Sequence, residues 1–281
     1  MQQLEIQVIA FVLLSAFLHA GWNAITKSSS DPLINMAVVT SSGGLVAGAM
    51  IPLTPTLDPA AFPYLFASAT LHFLYQLTLV RAYRHGDLSQ VYPIARGIAP
   101  LGVAALAAAL AHEIPSMLQA FGLAIASASI VSLGLIGRAH ARSHTATWLA
   151  LLTGTLIGMY TFIDATGVRV GGHASSYISW MFFVDSFPIA ATAVLRRRGQ
   201  VTDFIRREGV RASIGGMMAI AGYGAVLWAM SQGAMASVAS LREASVLVAA
   251  IIGTRLLGEP FGKQRITAAA GTVVGLIMVQ L

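Results

Sequence analysis

The chemistry of this chain centres on charged residues that lie within its most apolar stretches. The run "QVYPIARGIAP" places Arg96 between two prolines, and "LREASVLVAA" places Arg242 and Glu243 inside another apolar segment. An ion at the centre of a bilayer costs about 2.5–3.5 kcal/mol, so such residues normally face the interior of a helix bundle or a wet cavity. A guanidinium there is suited to binding a carboxylate, phosphate or phosphonate group.

Other polar residues fall at similar depths of the apolar segments. In the third segment, His72 and Gln76 share one helix face with Tyr75 beside them, and Asp185 lies near the middle of the seventh. A similar polar face in the first segment consists of His19, Trp22 and Asn23. We predict Asp164 to lie nearer the outer mouth, close to Arg169.

The elements that position these residues are membrane helices. Of the 281 residues, 56% are hydrophobic and 10% are charged, against about 25% charged in soluble domains. Ten apolar runs are long enough to cross the hydrocarbon. Their predicted starts are Leu4, Pro32, Ala61, Leu88, Pro115, Thr145, His173, Arg211, Ala234 and Phe261. Because Pro93, Gly97 and Pro100 surround Arg96, we expect the fourth helix to be broken beside a cavity.

The distribution of basic residues predicts the orientation of the chain. The loops after the odd-numbered segments hold 14 of the 17 Lys and Arg residues, and the even loops and termini hold only Arg169. By the positive-inside rule the odd loops are cytoplasmic. We therefore expect a multi-pass protein of a bacterial inner membrane with both termini outside the cytoplasm. The dispersed basic residues make nucleic acid an unexpected partner.

The two halves of the chain resemble each other weakly. At an offset of 146, Arg96 aligns with Arg242 and Glu113 with Glu259, and at an offset of 138, Trp22 aligns with Tyr160. Equivalent loops carry opposite basic bias, as a five-helix unit repeated once requires. The sequence therefore predicts an all-α integral membrane fold of ten transmembrane helices in two inverted five-helix repeats, residues 1–140 and 141–281. That architecture is typical of secondary transporters, whose substrate site lies where the halves meet.

Three motifs together resemble the EamA-type family of the drug/metabolite transporter superfamily: "LHAGWNAITK", "YPIARGIAPL" and "LREASVLVAAIIGTRLLGEP". The resemblance covers nearly the whole chain and is nearest to a subgroup associated with phosphonate utilisation. It implies ten helices around a central cavity and the transport of a metabolite. Relatives that exchange phosphate compounds have two neighbouring basic residues in the ninth helix. Here Glu243 stands in place of the second, which favours a zwitterion or an anion accompanied by a proton.

From these observations we expect a secondary active transporter of a small polar anionic or zwitterionic metabolite. Arg96 and Arg242 would bind the anionic group, and Glu243 or Asp185 would receive an ammonium group or the coupling proton. His72, Tyr75, Gln76, His19, Trp22 and Asn23 complete the predicted substrate-binding set. The partners expected are the small-molecule substrate, membrane lipid and a coupling proton. We predict no cofactor, no metal and no enzymatic activity, since no motif for a nucleophile, zinc or ATP is present.

Several alternatives stay open at this point. Arg96 can pair with Glu243 or Asp185 merely to hold the halves together, as in a non-transporting membrane scaffold. Export of hydrophobic or toxic compounds predicts an aromatic-lined cavity in which the arginines are structural. A membrane-embedded enzyme would use Glu243 or His72 as a general base, but it would lack a recognisable nucleophile or metal set.

Overall fold

The computed structural model describes residues 6–135, 143–248 and 263–281, and within them the chain is all-helical. The described helices are α1 (Ile6–Lys27), α2 (Pro32–Met50), α3 (Phe62–His85), α4 (Leu88–Leu110), α5 (Met117–Leu135), α6 (His144–Val170), α7 (Ala174–Arg196), α8 (Val201–Gln232), α9 (Met235–Arg242) and α10 (Lys263–Gln280). Residues 244–248 are also helical. The predicted starts at Leu4 and Phe261, and Glu259 of the repeat alignment, lie outside the described residues.

Seven of the described helices are long and apolar enough to cross a membrane: α1, α2 with the short 3-10 turn that follows it, α4, α5, α6, α7 and α8. Large apolar side chains such as Phe17, Leu45 and Trp148 are exposed on the outside of the bundle, as lipid-facing side chains are. This is the architecture of a multi-pass membrane protein. Helix α3 is not among the seven, because polar residues in its middle, His72 and Gln76, lower its mean hydropathy.

Local sequence explains several helix starts. Asp31 lies at the N-cap of α2, where its Oδ1 accepts hydrogen bonds from the backbone N–H groups of Leu33 (2.9 Å) and Ile34 (3.3 Å), and Pro32 follows at the first helical position. Both features stabilise a helix N-terminus, because they satisfy or remove donors that have no partner within the helix. Ser143 caps α6 in the same way, through the backbone N–H of Ala146.

The helices pack against one another in a small number of extensive pairs. The central α4 lies against α5 and α6, α3 packs on α6, and α1 packs on α8. Helix α2 packs on α7 and on α8, α3 also contacts α7, and α5 packs on α10. Glycine permits the close approach of α6 to α4, because a Cβ on Gly154 would lie 2.5 Å from the carbonyl oxygen of Ala95.

The predicted break in the fourth helix is wrong. Helix α4 runs without interruption through Pro93 and Pro100. Gly97 lets the backbone of α5 approach: a Cβ there would lie 3.0 Å from the carbonyl oxygen of Ser127. Because α5 and α6 enclose α4 on two sides, packing holds both prolines in helical conformation, although each one removes a hydrogen bond.

The break lies instead in the ninth segment, at Glu243, immediately after α9. The Glu243 N–H donates to the carbonyl of Ser240 (2.9 Å), and the Val246 N–H donates to the carbonyl of Glu243 (2.9 Å). Both bonds span three residues rather than four, so the carbonyl of Arg242 loses its usual helical partner at Val246. The interruption therefore exposes a backbone acceptor next to two charged side chains.

The predicted start of the eighth span at Arg211 is also wrong as a helix boundary. The helix α8 begins ten residues earlier, at Val201, and includes the basic residues Arg206, Arg207 and Arg211. Hydropathy detects only the apolar part of a helix, and here the first turns are charged and exposed. The helix thus continues past the apolar region that the sequence pattern marks.

Candidate functional site

The two interior arginines meet at the interruption of the ninth segment. The Nε atom of Arg96 lies 2.8 Å from Oε2 of Glu243, and its Nη2 donates to the carbonyl oxygen of Arg242 at 3.2 Å. That carbonyl is the one freed by the turn at Glu243. Of the two partners considered for Arg96, the structure selects Glu243 and places Asp185 elsewhere. Arg96, Arg242 and Glu243 form the arginine cluster, and each is only 1% exposed.

The arginine cluster holds more hydrogen-bond capacity than its neighbours use. The Nη2 of Arg242 lies 3.5 Å from the hydroxyl of Thr161, and its guanidinium lies over the ring of Tyr223, 5.6 Å from the centroid. Among the described residues, Nη1 of Arg96, Nε and Nη1 of Arg242 and Oε1 of Glu243 have no hydrogen-bond partner. Buried donors left without a partner cost about 1–3 kcal/mol each. The cluster is therefore costly to the fold, and its free N–H groups are suited to an anionic group.

A second group of ionisable residues lies on the other side of Tyr223. His72 of α3 lies between Asp164 of α6 and Asp185 of α7, and Gln76 donates from its Nε2 to Oδ2 of Asp185 at 3.0 Å. His72, Asp164, Asp185 and Gln76 form the histidine cluster, and all four are buried. The predicted i, i+4 face of His72 and Gln76 thus does point inward, towards a carboxylate.

The prediction that Asp164 lies near the outer mouth beside Arg169 is wrong. Asp164 is fully buried and accepts hydrogen bonds from the hydroxyls of Tyr177 (3.0 Å) and Tyr223 (2.8 Å). Counting residues from an uncertain helix end misplaced it. The repeat alignment offered a signal, because Tyr160 aligns with Trp22 of the predicted site and Asp164, four residues later, shares the helix face of Tyr160.

Aromatic rings connect the two clusters. The ring centroid of Tyr160 lies 3.9 Å from that of His72, 5.3 Å from that of Tyr75 and 5.8 Å from that of Tyr223. Tyr223 also contacts both clusters directly, since its hydroxyl donates to Asp164 while its ring faces Arg242. Tyr75, predicted from its place beside His72, belongs to this group, whereas Tyr160 and Tyr223 were not predicted as site residues.

The predicted group in α1 forms a third polar patch, and its His19 lies within electrostatic range of Arg96 and Arg242. Trp22 donates from Nε1 to Nδ1 of His19 at 3.3 Å, and the side-chain amide of Asn23 donates to the carbonyl of His19 at 2.9 Å. Asn23 also accepts a hydrogen bond from the hydroxyl of Tyr83 at 2.9 Å. The ring of His19 lies 6.1 Å from that of Tyr92, whose hydroxyl donates to Ser245 two residues after Glu243. The patch therefore reaches the ninth segment through Tyr92.

An apolar cleft of about 790 Å³ lies away from these residues, between α2, α7 and α8. Its walls include Val38, Leu45, Ile205 and Met217, and none of its lining residues is charged. The residues of the arginine cluster and the residues of the histidine cluster are buried and do not line this cleft.

No protein-family model matches the chain, and no curated protein matches it. The fold is nonetheless a known one. A solved structure, described only as the crystal structure of a protein, aligns with 97% of this chain and 96% of its own at a TM-score of 0.75. The two sequences are 15% identical. At that identity the likeness shows the shared fold alone.

Proposed function

We propose that this protein is a secondary active transporter of a small polar anionic or zwitterionic metabolite, with Arg96 and Arg242 as the binding groups for its anionic moiety. The observation that carries the proposal is the set of three buried guanidinium nitrogens without a hydrogen-bond partner among the described residues. A carboxylate, phosphonate or phosphate group accepts hydrogen bonds in the fork geometry that guanidinium groups offer. The carboxylates of Glu243 and Asp185 provide complementary places for an ammonium group.

The packing of the helices supports an inverted-repeat transporter as the underlying architecture. If residues 141–281 repeat 1–140, then α1 corresponds to α6, α3 to α8, α2 to α7 and α5 to α10. The packing of α1 on α8 is then equivalent to that of α3 on α6, and the pairs α2 with α7 and α5 with α10 map onto themselves. Each of these relations is what a two-fold pseudosymmetry requires.

Within this proposal the chain is an EamA-type transporter of a bacterial inner membrane with ten transmembrane helices and both termini outside the cytoplasm. The positive-inside distribution of Lys and Arg supports that orientation. Rocking of the halves about the arginine cluster would expose it to each side in turn, because Arg96 and Glu243 belong to different repeats and meet only at the interface.

Export of hydrophobic compounds is the second candidate. It is favoured by the ring cluster of Tyr75, Tyr160 and Tyr223 beside Arg242. Aromatic faces bind apolar and cationic compounds without requiring a free guanidinium. The two candidates therefore differ in whether binding depends on Arg96.

Counterflow into proteoliposomes distinguishes them. Labelled aspartate, 2-aminoethylphosphonate, glucose 6-phosphate and ethidium are offered to the wild type and to Arg96→Gln with Glu243→Gln. This pair of changes removes both charges and leaves neither ion unpaired. The matched control is Arg169→Gln with Glu113→Gln, which removes an ion pair at the edge of the bundle. We expect uptake of one anionic or zwitterionic probe, lost in the interior variant and kept in the control. Uptake of ethidium alone, unchanged in both variants, would favour the second candidate.

A further inference from the structure

In the histidine cluster, two carboxylates face the two ring nitrogens of His72, but a neutral ring has an N–H for only one of them. Nε2 of His72 lies 3.7 Å from Oδ2 of Asp164, and Nδ1 lies 3.9 Å from Oδ1 of Asp185. A neutral imidazole carries one N–H and can donate to only one of the two carboxylates. An imidazolium carries two, and each would point at a carboxylate oxygen that lies about 0.5–0.7 Å beyond hydrogen-bonding distance, so a small closure of the cluster would form both bonds.

The remaining partners of the two carboxylates differ. Asp164 already accepts bonds from Tyr177 and Tyr223, whereas Asp185 accepts one bond, at Oδ2, from Gln76. Among the described residues, neither Nδ1 of His72 nor Oδ1 of Asp185 has a hydrogen-bond partner, although both atoms are buried and face each other. A proton on His72 would satisfy both atoms at once.

The balance of charge in the two clusters also calls for one bound proton. The two clusters together contain two guanidinium groups, Arg96 and Arg242, and three carboxyl groups, Glu243, Asp164 and Asp185. With His72 neutral and the carboxyls ionised, the interior carries one net negative charge. A net charge buried at membrane depth is expensive, so one bound proton stabilises the closed bundle. The other ionisable groups around His72 are the phenols of Tyr75, Tyr160 and Tyr223, which are neutral at physiological pH, and the guanidinium of Arg242 beyond Tyr223, whose positive charge opposes a proton on His72.

We propose that His72, held between Asp164 and Asp185, is the binding site of the coupling proton. This inference rests on the proposed transport function and identifies the ion coupled to it. In the binding step a proton from water adds to the lone pair of the unprotonated ring nitrogen, so that both N–H groups donate to carboxylates. In the release step the same nitrogen returns its proton to water on the other side of the membrane.

Tyr223 provides the contact through which the proton site and the arginine cluster affect each other. Its hydroxyl donates to Asp164, the carboxylate beside His72, and its ring lies against the guanidinium of Arg242. Movement of Asp164 towards a protonated His72 therefore acts on the ring that supports Arg242. The proton would in this way bias the geometry of the anion-binding groups.

Nitrogen-15 NMR of histidine-labelled protein in detergent tests the proposal without any substrate. The chain has seven histidines, and His72→Gln assigns the signal by its disappearance. His85→Gln, an exposed histidine at the end of the same helix, is the matched control for assignment. As the pH falls, we expect both ring nitrogens of His72 to become protonated, with proton shifts typical of hydrogen bonds to carboxylates. In Asp164→Asn with Asp185→Asn, and in Asp185→Asn alone should the double variant not fold, that doubly hydrogen-bonded signature should be lost.

The result that overturns the proposal is a His72 that keeps one unprotonated nitrogen throughout the pH range in which the protein is folded, or a signature unchanged by Asp185→Asn. Failure of the transport proposal would look different. If the anionic probes named above neither bind nor move while His72 shows two protonated nitrogens, then the proton site stands and the substrate assignment falls. If an anionic probe is transported while His72 stays neutral, the transport proposal stands and the proton site falls.

Discussion

Arg169 at the edge of the bundle and Arg96 in its interior have opposite hydrogen-bonding environments. At the edge of the bundle, Arg169 pairs with Glu113, donates from Nε to the carbonyl of Met230 (2.9 Å) and donates from Nη2 to the carbonyl of Gly233. The other oxygen of Glu113 accepts from the backbone N–H of Met235 (2.9 Å). In the interior, Arg96 is less exposed, yet it and Arg242 keep nitrogens that no described residue accepts.

The difference shows how to separate a structural ion pair from a binding one. Arg169 and Glu113 tie the end of α6 to the turn between α8 and α9 through bonds that all end within the chain. Arg96 and Glu243 are joined through one contact and retain free atoms in a region where free atoms are most costly. We interpret Arg169 and Glu113 as a structural ion pair, and Arg96 and Glu243 as part of a binding site.

The largest effect on both stability and transport is expected from Arg96→Ala. It leaves Glu243 buried without its cation, and removing one partner of a buried ion pair typically costs about 3–5 kcal/mol of stability. We expect a large fall in the melting temperature of the detergent-purified protein, together with loss of transport. Adding Glu243→Gln should restore most of the stability and none of the transport. Recovered transport in the double variant would remove Arg96 from the binding site.

The second test is Arg169→Ala. Charged hydrogen bonds contribute about 1.5–3 kcal/mol each, and Arg169 is 31% exposed, so we expect a loss of about 2 kcal/mol in unfolding free energy. Transport per folded molecule should stay at the wild-type value, measured by counterflow. If Arg169→Ala abolished transport without lowering stability, the distinction between a structural arginine and a substrate-binding arginine would be wrong.

A smaller effect is expected from Arg242→Lys. A lysine keeps the charge but loses the planar contact with the ring of Tyr223 and the second donor edge. The half-saturating concentration of the transported anion should rise about tenfold, which corresponds to about 1.4 kcal/mol. The control, Arg169→Lys, should leave that concentration unchanged, and equal effects of the two changes would contradict the account.

The smallest expected effect is on the pH dependence of stability, through Asp31 at the edge of the bundle. Burial acts to raise the pKa of Asp31, but hydrogen bonds from Arg197 and from the backbone of Ile34 and Leu33 outweigh it, so the pKa lies below its usual value. The carboxylate therefore stabilises the fold above the unfolded pKa of about 3.9, and this contribution is lost as the pH falls through the lower folded value.

The measurement is the melting temperature of the wild type and of Asp31→Asn across acidic pH. The difference between them should be small, because the Asp31 and Arg197 side chains are 17% and 27% exposed. It should shrink further at the most acidic pH. A difference that grows on acidification would mean that the sign is wrong.

The sequence predicted the helical membrane fold and most helix positions because hydropathy and proline placement report them directly. The predicted starts at Pro32 and Leu88 agree with the structure, and those near α3 and α7 differ by one residue. The error at α8 arose because a charged extension outside the apolar core has no hydropathy signal. The ten-helix inverted repeat and the orientation of the chain stay predictions.

The candidate site was predicted in its residue types and less well in its connections. Burial of Arg96, Arg242, Asp185 and His72 follows from their depth in apolar segments. The pairing of Arg96 with Glu243, and the place of Asp164, depend on helix rotation and on where a helix is interrupted, which periodicity does not fix. The prolines of α4 predicted a break in that helix, but α4 is continuous. The interruption lies at Glu243 in the ninth segment, where the sequence has no glycine or proline.

Thermal unfolding of the purified protein with and without small anions tests most directly whether the interior arginines bind the substrate. The wild type and Arg96→Gln with Glu243→Gln are compared against aspartate, 2-aminoethylphosphonate and glucose 6-phosphate. A ligand at about 100 times its Kd should stabilise the folded state by about 2.7 kcal/mol. The account predicts that one anionic or zwitterionic compound raises the melting temperature of the wild type and has no effect on the variant. Equal stabilisation of both proteins would contradict it and return the interior arginines to a structural role.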